Sequence, residues 1–176
     1  MKGSTFLAIC ALVAGTGGGA LHANEPLPPS SKPQTEAERR AYSADDKSPE
    51  AVVNRFNQMA FFDGKPAEAM REFLADDFIE RYPDLTKEGC TGTDKQCTIE
   101  FFETRGWNPG DALKDEIYKV IADEDHAMVF HKVIGGPEDR GTAYVDIFRV
   151  VDGKIVEHWA VGQPVSEKTS PRHPMF

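Results

Sequence analysis

Apolar positions follow two rhythms along this chain, one returning every three or four residues and one alternating. Ser48 followed by Pro49 reads as a helix N-cap with proline at the first helical position, and Glu50 adds favourable charge at the amino end. Val52, Val53, Phe56, Met59, Ala60 and Phe62 then form an apolar stripe that Asp63-Gly64-Lys65 closes. Pro66 opens a second helix with Ala69, Met70, Phe73 and Leu74 on its buried side, and Asp76-Asp77 leads out of it. Phe78-Ile79-Glu80-Arg81-Tyr82 is short and extended, and Pro83 stops it. Thr98 is placed to cap a third short helix carrying Ile99, Phe101 and Phe102, with Trp107 just beyond.

From there the pattern is strand-like. Glu116 to Ala122, Ala127 to Ile134, Thr142 to Val151 and Lys154 to Gln163 are separated by turn sequences. Helices first and an antiparallel meander afterwards is an α+β arrangement, with the helices gathered on one face of the sheet. The last turn is Asp152-Gly153, a strong signal for a two-residue hairpin loop. A regular ladder from that turn sets Val151 opposite Lys154, Arg149 opposite Val156, Ile147 opposite His158 and Asp146 opposite Trp159. Period-two alternation then puts Val145, Ile147, Val156, His158 and Ala160 on one face, and Tyr144, Asp146, Phe148, Glu157, Trp159 and Val161 on the other. Both faces carry bulky apolar groups, so both need a cover: helices on one, and a partner subunit or a curled sheet on the other.

The amino-terminal stretch changes the picture of where the protein works. Lys2 precedes an apolar run from Phe6 to Ala14, followed by glycines and Ala20-Leu21-His22-Ala23. These are the parts of a secretory signal, with cleavage expected after Ala23 or Ala20, and the run is too short to span a bilayer. Cys10 belongs to the discarded part. Residues 24–48 are rich in Pro, Ser, Glu and Lys and read as a flexible tether, leaving residues 49–176 as one domain. The formal net charge is −9, and loss of Lys2 makes it −10, which argues against nucleic acid and anionic membrane surfaces as partners. An exported chain, periplasmic or extracellular, keeps Cys90 and Cys97 in an oxidising compartment, where a disulfide closing a small loop is the plain reading; a metal or redox pair is the alternative.

Asp146-Ile147-Phe148-Arg149, then Asp152-Gly153-Lys154-Ile155-Val156-Glu157-His158-Trp159 and Gln163-Pro164-Val165, resemble the SnoaL-like family of polyketide-cyclase relatives. The subgroup resembled is that of predicted aldol-condensation enzymes, within the nuclear transport factor 2 superfamily, and Val120-Ile121-Ala122-Asp123 and Glu138-Asp139-Arg140-Gly141 also match it. The resemblance implies an NTF2-like conical barrel, a deep pocket at its wide end, and a homodimer formed through the sheets. It also implies proton transfer by a carboxylate and a histidine without metal or organic cofactor, with burial raising the carboxylate pKa. Two positions depart from the family pattern. Ala160 stands where subgroup members carry Asp after His-Trp, and Arg81-Tyr82-Pro83 stands where relatives tend to carry His-Asn-Pro.

The candidate catalytic pair is therefore His158, as a neutral imidazole in an apolar cavity, and Asp146, among aromatics or paired with Arg149 or Arg140. His131 joins the His158 face if it pairs opposite Val145, and the Asp146 face if the register slips by one. Tyr82, Phe102, Trp107, Phe148, Trp159 and Gln163 are the candidate pocket wall, His126 and His173 are expected in solvent, and no metal site is expected. Two functions stay open: a cofactor-free lyase or isomerase acting on a small hydrophobic or carbonyl-containing molecule, and a non-catalytic extracytoplasmic binding or assembly module.

Overall fold

Asp152 and Gly153 both take positive φ, 51° and 82°, as a two-residue hairpin turn requires, and Val151 pairs with Lys154 across it. The chain is described here by a computed structural model covering residues 32–105, 114–136, 138–166 and 175–176. The stretch expected to be a signal sequence, with Cys10, as well as Trp107, Pro137 and His173, lies outside the described residues.

Four strands run as the alternation predicts: β2 (Lys114–Asp123), β3 (His126–Ile134), β4 (Thr142–Val151) and β5 (Lys154–Pro164). A fifth, β1 (Leu74–Glu80), starts four residues before the extended stretch read from sequence and pairs parallel with β5. The order β1-β5-β4-β3-β2 makes an open mixed sheet. Ahead of it come α1 (Glu36–Arg39), α2 (Pro49–Asn57), which continues as a π-helical turn over Gln58–Phe62, and α3 (Pro66–Phe73). The fourth helix, α4 (Asp94–Arg105), lies between β1 and β2. Helices on one face of the sheet give an α+β fold.

The hairpin register departs from a regular ladder within three residues of the turn. Val150 pairs with Ile155 but Arg149 pairs with Glu157, so Val156 is an extra residue on β5, a β-bulge. Every pair beyond it shifts by one. Phe148 faces His158, Ile147 faces Trp159, and Asp146 faces Ala160. The expected division of faces is therefore corrected. His158 and Ala160 join Tyr144, Asp146 and Phe148 on the inner face, while Trp159 turns outward with Ile147 and Val145.

Packing fixes the inner face against the helices. Ser48 caps α2 by accepting from the Ala51 amide, and Val52, Val53 and Phe56 are buried against the sheet. Phe56 sits edge-on to Phe61, Phe73 and Phe148, at 6.1, 6.1 and 5.8 Å between ring centroids. Burial of such a ring contributes about 2–3 kcal/mol. α4 starts earlier than expected. Thr93 accepts from the Gln96 amide while Gln96 accepts from the Thr93 amide, a capping box inside the stretch read as a turn. Thr98 is consequently interior to the helix and buried rather than its cap. A disulfide joins Cys90 to Cys97.

Residues 32–48, expected as part of a free tether, lie along the domain. The Gln34 amide donates to the Ile117 carbonyl, and Arg39 is buried with its guanidinium 3.6 Å above the Phe62 ring and bonded to Gln58. The composition is polar, but one cation finds an aromatic face and enough acceptors to be buried.

The outer face has its own apolar surface. Phe176 stacks on Phe130 and meets Tyr118, while Ile121, Met128 and Val161 are exposed.

Candidate active site

The alternation of β1 points Leu74, Phe78 and Glu80 inward, and parallel pairing sets Glu80 beside His158 on β5. The Glu80 carboxylate lies 2.7 Å from His158 Nδ1 and also accepts the Tyr82 amide at 2.9 Å. From the far edge, the β2–β3 hairpin brings Asp115 to His131, 2.8 Å from its Nδ1. Between the two imidazoles stands Asp146 on β4. One oxygen is 3.1 Å from His131 Nε2, close but off the N–H direction, and the other is 3.8 Å from His158 Nε2. The result is an inner-face row across all five strands: Glu80, His158, Asp146, His131, Asp115.

Burial varies along this row in a way that locates its opening. The side chains of Glu80, His158, Asp115 and His131 are 1, 4, 5 and 7% exposed, whereas Asp146 is 16% exposed. Asp146 lines two cavities. The outer one, about 240 Å³, is walled by Phe61, Leu85, Phe101, Phe102, Val133 and Ala160, with Tyr82, Tyr144, His131 and Asp115 as its polar groups. The inner one, about 30 Å³, lies past Asp146 between α4 and the sheet, where Thr98, Glu80 and His158 meet an aromatic wall.

The electrostatics reverse two expectations. Burial by itself disfavours a charged imidazole, but the Asp115 hydrogen bond and the nearby carboxylates of Asp115 and Asp146 outweigh it and push His131 up to about 10. His158 is pushed up to about 9 against the same burial penalty by Asp146 and Glu80. Asp146 pays for burial as well, yet the two imidazoles hold its carboxyl well below the usual carboxylate range. The shift of His158 favours its imidazolium form over the neutral base expected. Asp146 is held ionised, not tuned upward. The face of Phe148 stacks on the His158 ring at 4.7 Å, a placement that favours the cation. In the outer cavity, Tyr82 is pushed up to about 12 by burial, the Tyr144 phenol and Asp84, so it remains a neutral O–H donor.

The structure therefore gathers His158, Asp146, His131, Tyr82, Phe102 and Phe148 around the two cavities. It does not bring in Trp159, whose ring is on the outer face 6.3 Å from His126, because the bulge turns it away. Gln163 is exposed at the end of β5, beyond the cavity mouth. Arg149 pairs with Glu157, which also holds Arg81, so it is no partner of Asp146. Two site residues were missed. Glu80 shares the inward parity of Phe78, a legible signal, whereas Asp115 sits at the polar start of a strand, where nothing singles it out. Among the described residues no group of three or more His, Cys, Asp or Glu is arranged to hold a metal ion.

This fold recurs among solved structures of low sequence identity. IdmH from Streptomyces antibioticus, described as a proposed polyketide cyclase, superposes with a TM-score of 0.50 at 22% identity, over 65% of this chain and 91% of its own. A proposed ketosteroid isomerase from Kribbella flavida gives 0.50 at 20% identity, over 73% and 87%. An NTF2-like protein of unknown function from Mesorhizobium loti gives 0.50 at 20%, over 69% and 98%. No curated protein matches the sequence. Residues 53–158, from the second valine of α2 to His158, match the SnoaL-like domain, and the chain belongs to that family.

Proposed function

We propose that this is an exported SnoaL-like protein that binds a small, largely apolar carbonyl compound and moves a proton next to the carbonyl without a cofactor. The observation that carries this reading is Asp146, a carboxylate flanked by two imidazole rings at the opening of an apolar cavity. Asp146 takes the proton. Its low proton affinity would make it a weak base alone, but His131 or Tyr82 can donate to the carbonyl oxygen as charge develops there, which acidifies the adjacent carbon. The cavity fits a compound of one ring better than several fused rings, by its volume. The family and the neighbouring structures support small-molecule binding and cyclase- or isomerase-type chemistry as the class. The disulfide is compatible with export, and no helix among the described residues is long and apolar enough to cross a membrane. The exposed Ile121, Met128 and Val161 support a homodimer through the outer face.

Ala160 favours a second reading, a binding module whose chemistry has been lost, because a methyl group lines the cavity where family members offer a carboxylate. One measurement separates the two. The purified protein is incubated in deuterated water with a panel of cyclic ketones, and deuterium uptake next to the carbonyl is followed by NMR. Uptake that falls at least about a hundredfold in Asp146→Asn supports proton transfer. Ketone binding with no uptake above the buffer rate, the same in both proteins, leaves the binding module.

A further inference from the structure

The inner cavity is too small for a carbonyl compound, and unsatisfied polar atoms lie buried behind its largely apolar wall. Its volume, about 30 Å³, exceeds the roughly 10–15 Å³ that one water needs, and most of its wall is apolar, with Phe56, Phe78, Phe102 and Phe148 among the lining residues. Against that wall stand two buried polar atoms that no protein group satisfies. Thr98 Oγ1 belongs to a residue 1% exposed, and His158 Nε2 to one 3% exposed. An unsatisfied buried polar atom is costly, and a threonine on the buried side of α4 among phenylalanines has no packing advantage over valine. The carboxylates of Asp146 and Glu80 line the same space. A water molecule needs two to four polar partners, and this corner offers that many.

We propose that the chamber between α4 and the sheet binds one water molecule, held by Thr98 Oγ1, His158 Nε2 and Asp146, and that this water completes the row of acids and imidazoles. Nε2 of His158 and the nearer oxygen of Asp146 are 3.8 Å apart, too far for a direct hydrogen bond. A water seated to one side reaches both. Thr98 fixes its position by donating to it or accepting from it. The water accepts the Nε2–H of His158 and donates to Asp146, so ring and carboxylate are coupled through one hydrogen-bonded chain that orients Asp146 for the ligand's proton, and no bond to carbon is made. The two histidines thereby differ: His131 touches Asp146 directly, whereas His158 communicates with it through solvent that the outer cavity does not supply. This role in proton transfer rests on the acid–base reading above; the occupancy of the chamber does not.

The test is a water-selective NOE experiment on the full chain, read at the Thr98 methyl and at His158 Hε1. Both protons show cross-peaks to a long-lived water in the wild type, and the His158 peak survives in Thr98→Ser, which keeps the hydroxyl. Thr98→Val, equal in shape and lacking the hydroxyl, loses the peak at His158, shifts the His158 Nε2 resonance, and slows ketone deuteration about tenfold. Absence of the water peaks in the wild type overturns the proposal even where ketone deuteration is fast. Peaks and deuteration unchanged in Thr98→Val overturn it too. Water peaks that behave as expected in a protein that deuterates no ketone leave the water site standing and remove the acid–base reading alone.

Discussion

Glu80 and Asp115 perform the same task for two imidazoles, but the arms they build differ in origin and in depth. The Asp115–His131 arm joins residues 16 positions apart across one antiparallel hairpin, and it borders the outer cavity with Tyr144 5.6 Å from the His131 ring. The Glu80–His158 arm joins residues 78 positions apart across a parallel pair, closed over by α4 and by Phe148. One arm is local and faces ligand space. The other is long-range and sealed, so its geometry depends on how α4 is seated over it. Placing the central carboxylate between a rigid acid and an accessible one lets the accessible side meet a ligand while the sealed side holds the charge in place.

Alkali is the strongest way to break both arms at once. Each histidine is raised in the folded state above its ordinary value near 6.5, so its contribution is fully present below that value and is lost as pH rises through the folded pKa. The His158 contribution fades through about pH 9 and that of His131 through about pH 10. Asp146 behaves oppositely: its contribution is present above the ordinary carboxylate range and is lost only as pH falls through its depressed folded value. Stability measured by urea unfolding should therefore peak between roughly pH 5 and 6.5 and fall by several kcal/mol towards pH 10. A flat profile from pH 6 to 10 would show that the two rings are not held as cations.

These two arms were unequally legible in the sequence for the same reason that they differ in structure. Alternation gave the four meander strands, the Asp152-Gly153 turn and the shared face of Asp146 and Phe148, because all of these are local patterns. The inward side of Glu80 was legible from its parity, but its pairing with His158 was not, since nothing in a short run ending at Pro83 says that it lies parallel to β5. The bulge at Val156 escaped as well. It adds one residue with no glycine or proline to mark it, and that single residue decides whether His158 and Asp146 share a face. A regular ladder separated the very pair that the family resemblance suggested should act together. The polar tether failed as a reading where Arg39 found the Phe62 ring, a tertiary contact that composition does not encode.

Removing one acid at a time separates the arms. Glu80→Gln leaves the His158 ring without its carboxylate in a site 1% exposed, and should cost about 3 kcal/mol in urea unfolding. Asp115→Asn removes the equivalent partner at the edge of the outer cavity, where water can enter, and should cost about 2 kcal/mol. NMR titration then assigns each effect: the His158 pKa falls in the first variant and that of His131 in the second, with the other ring changing far less. Equal costs and a common shift of both rings would mean that the row titrates as one unit and that the distinction between sealed and accessible arms is false.

The Cys90–Cys97 disulfide offers the mildest test, because it touches one arm only. It ties the approach to α4 to the first turns of that helix, whose Asp94 accepts the Glu80 amide at 3.0 Å and whose Thr98 lines the inner cavity. The Asp115–His131 pair makes no such contact with α4 among the described hydrogen bonds. The closed loop is short, with a sequence separation of 7. Replacing both cysteines by serine should lower stability by about 2 kcal/mol through the freed unfolded chain. The sharper readout is again the pair of imidazoles. A looser α4 lets Glu80 move off Nδ1, so the His158 pKa drops by a few tenths while that of His131 stays where it was. Movement of His131 by the same amount would show that the loop acts on the whole sheet and that the helical lid is not specific to the sealed side.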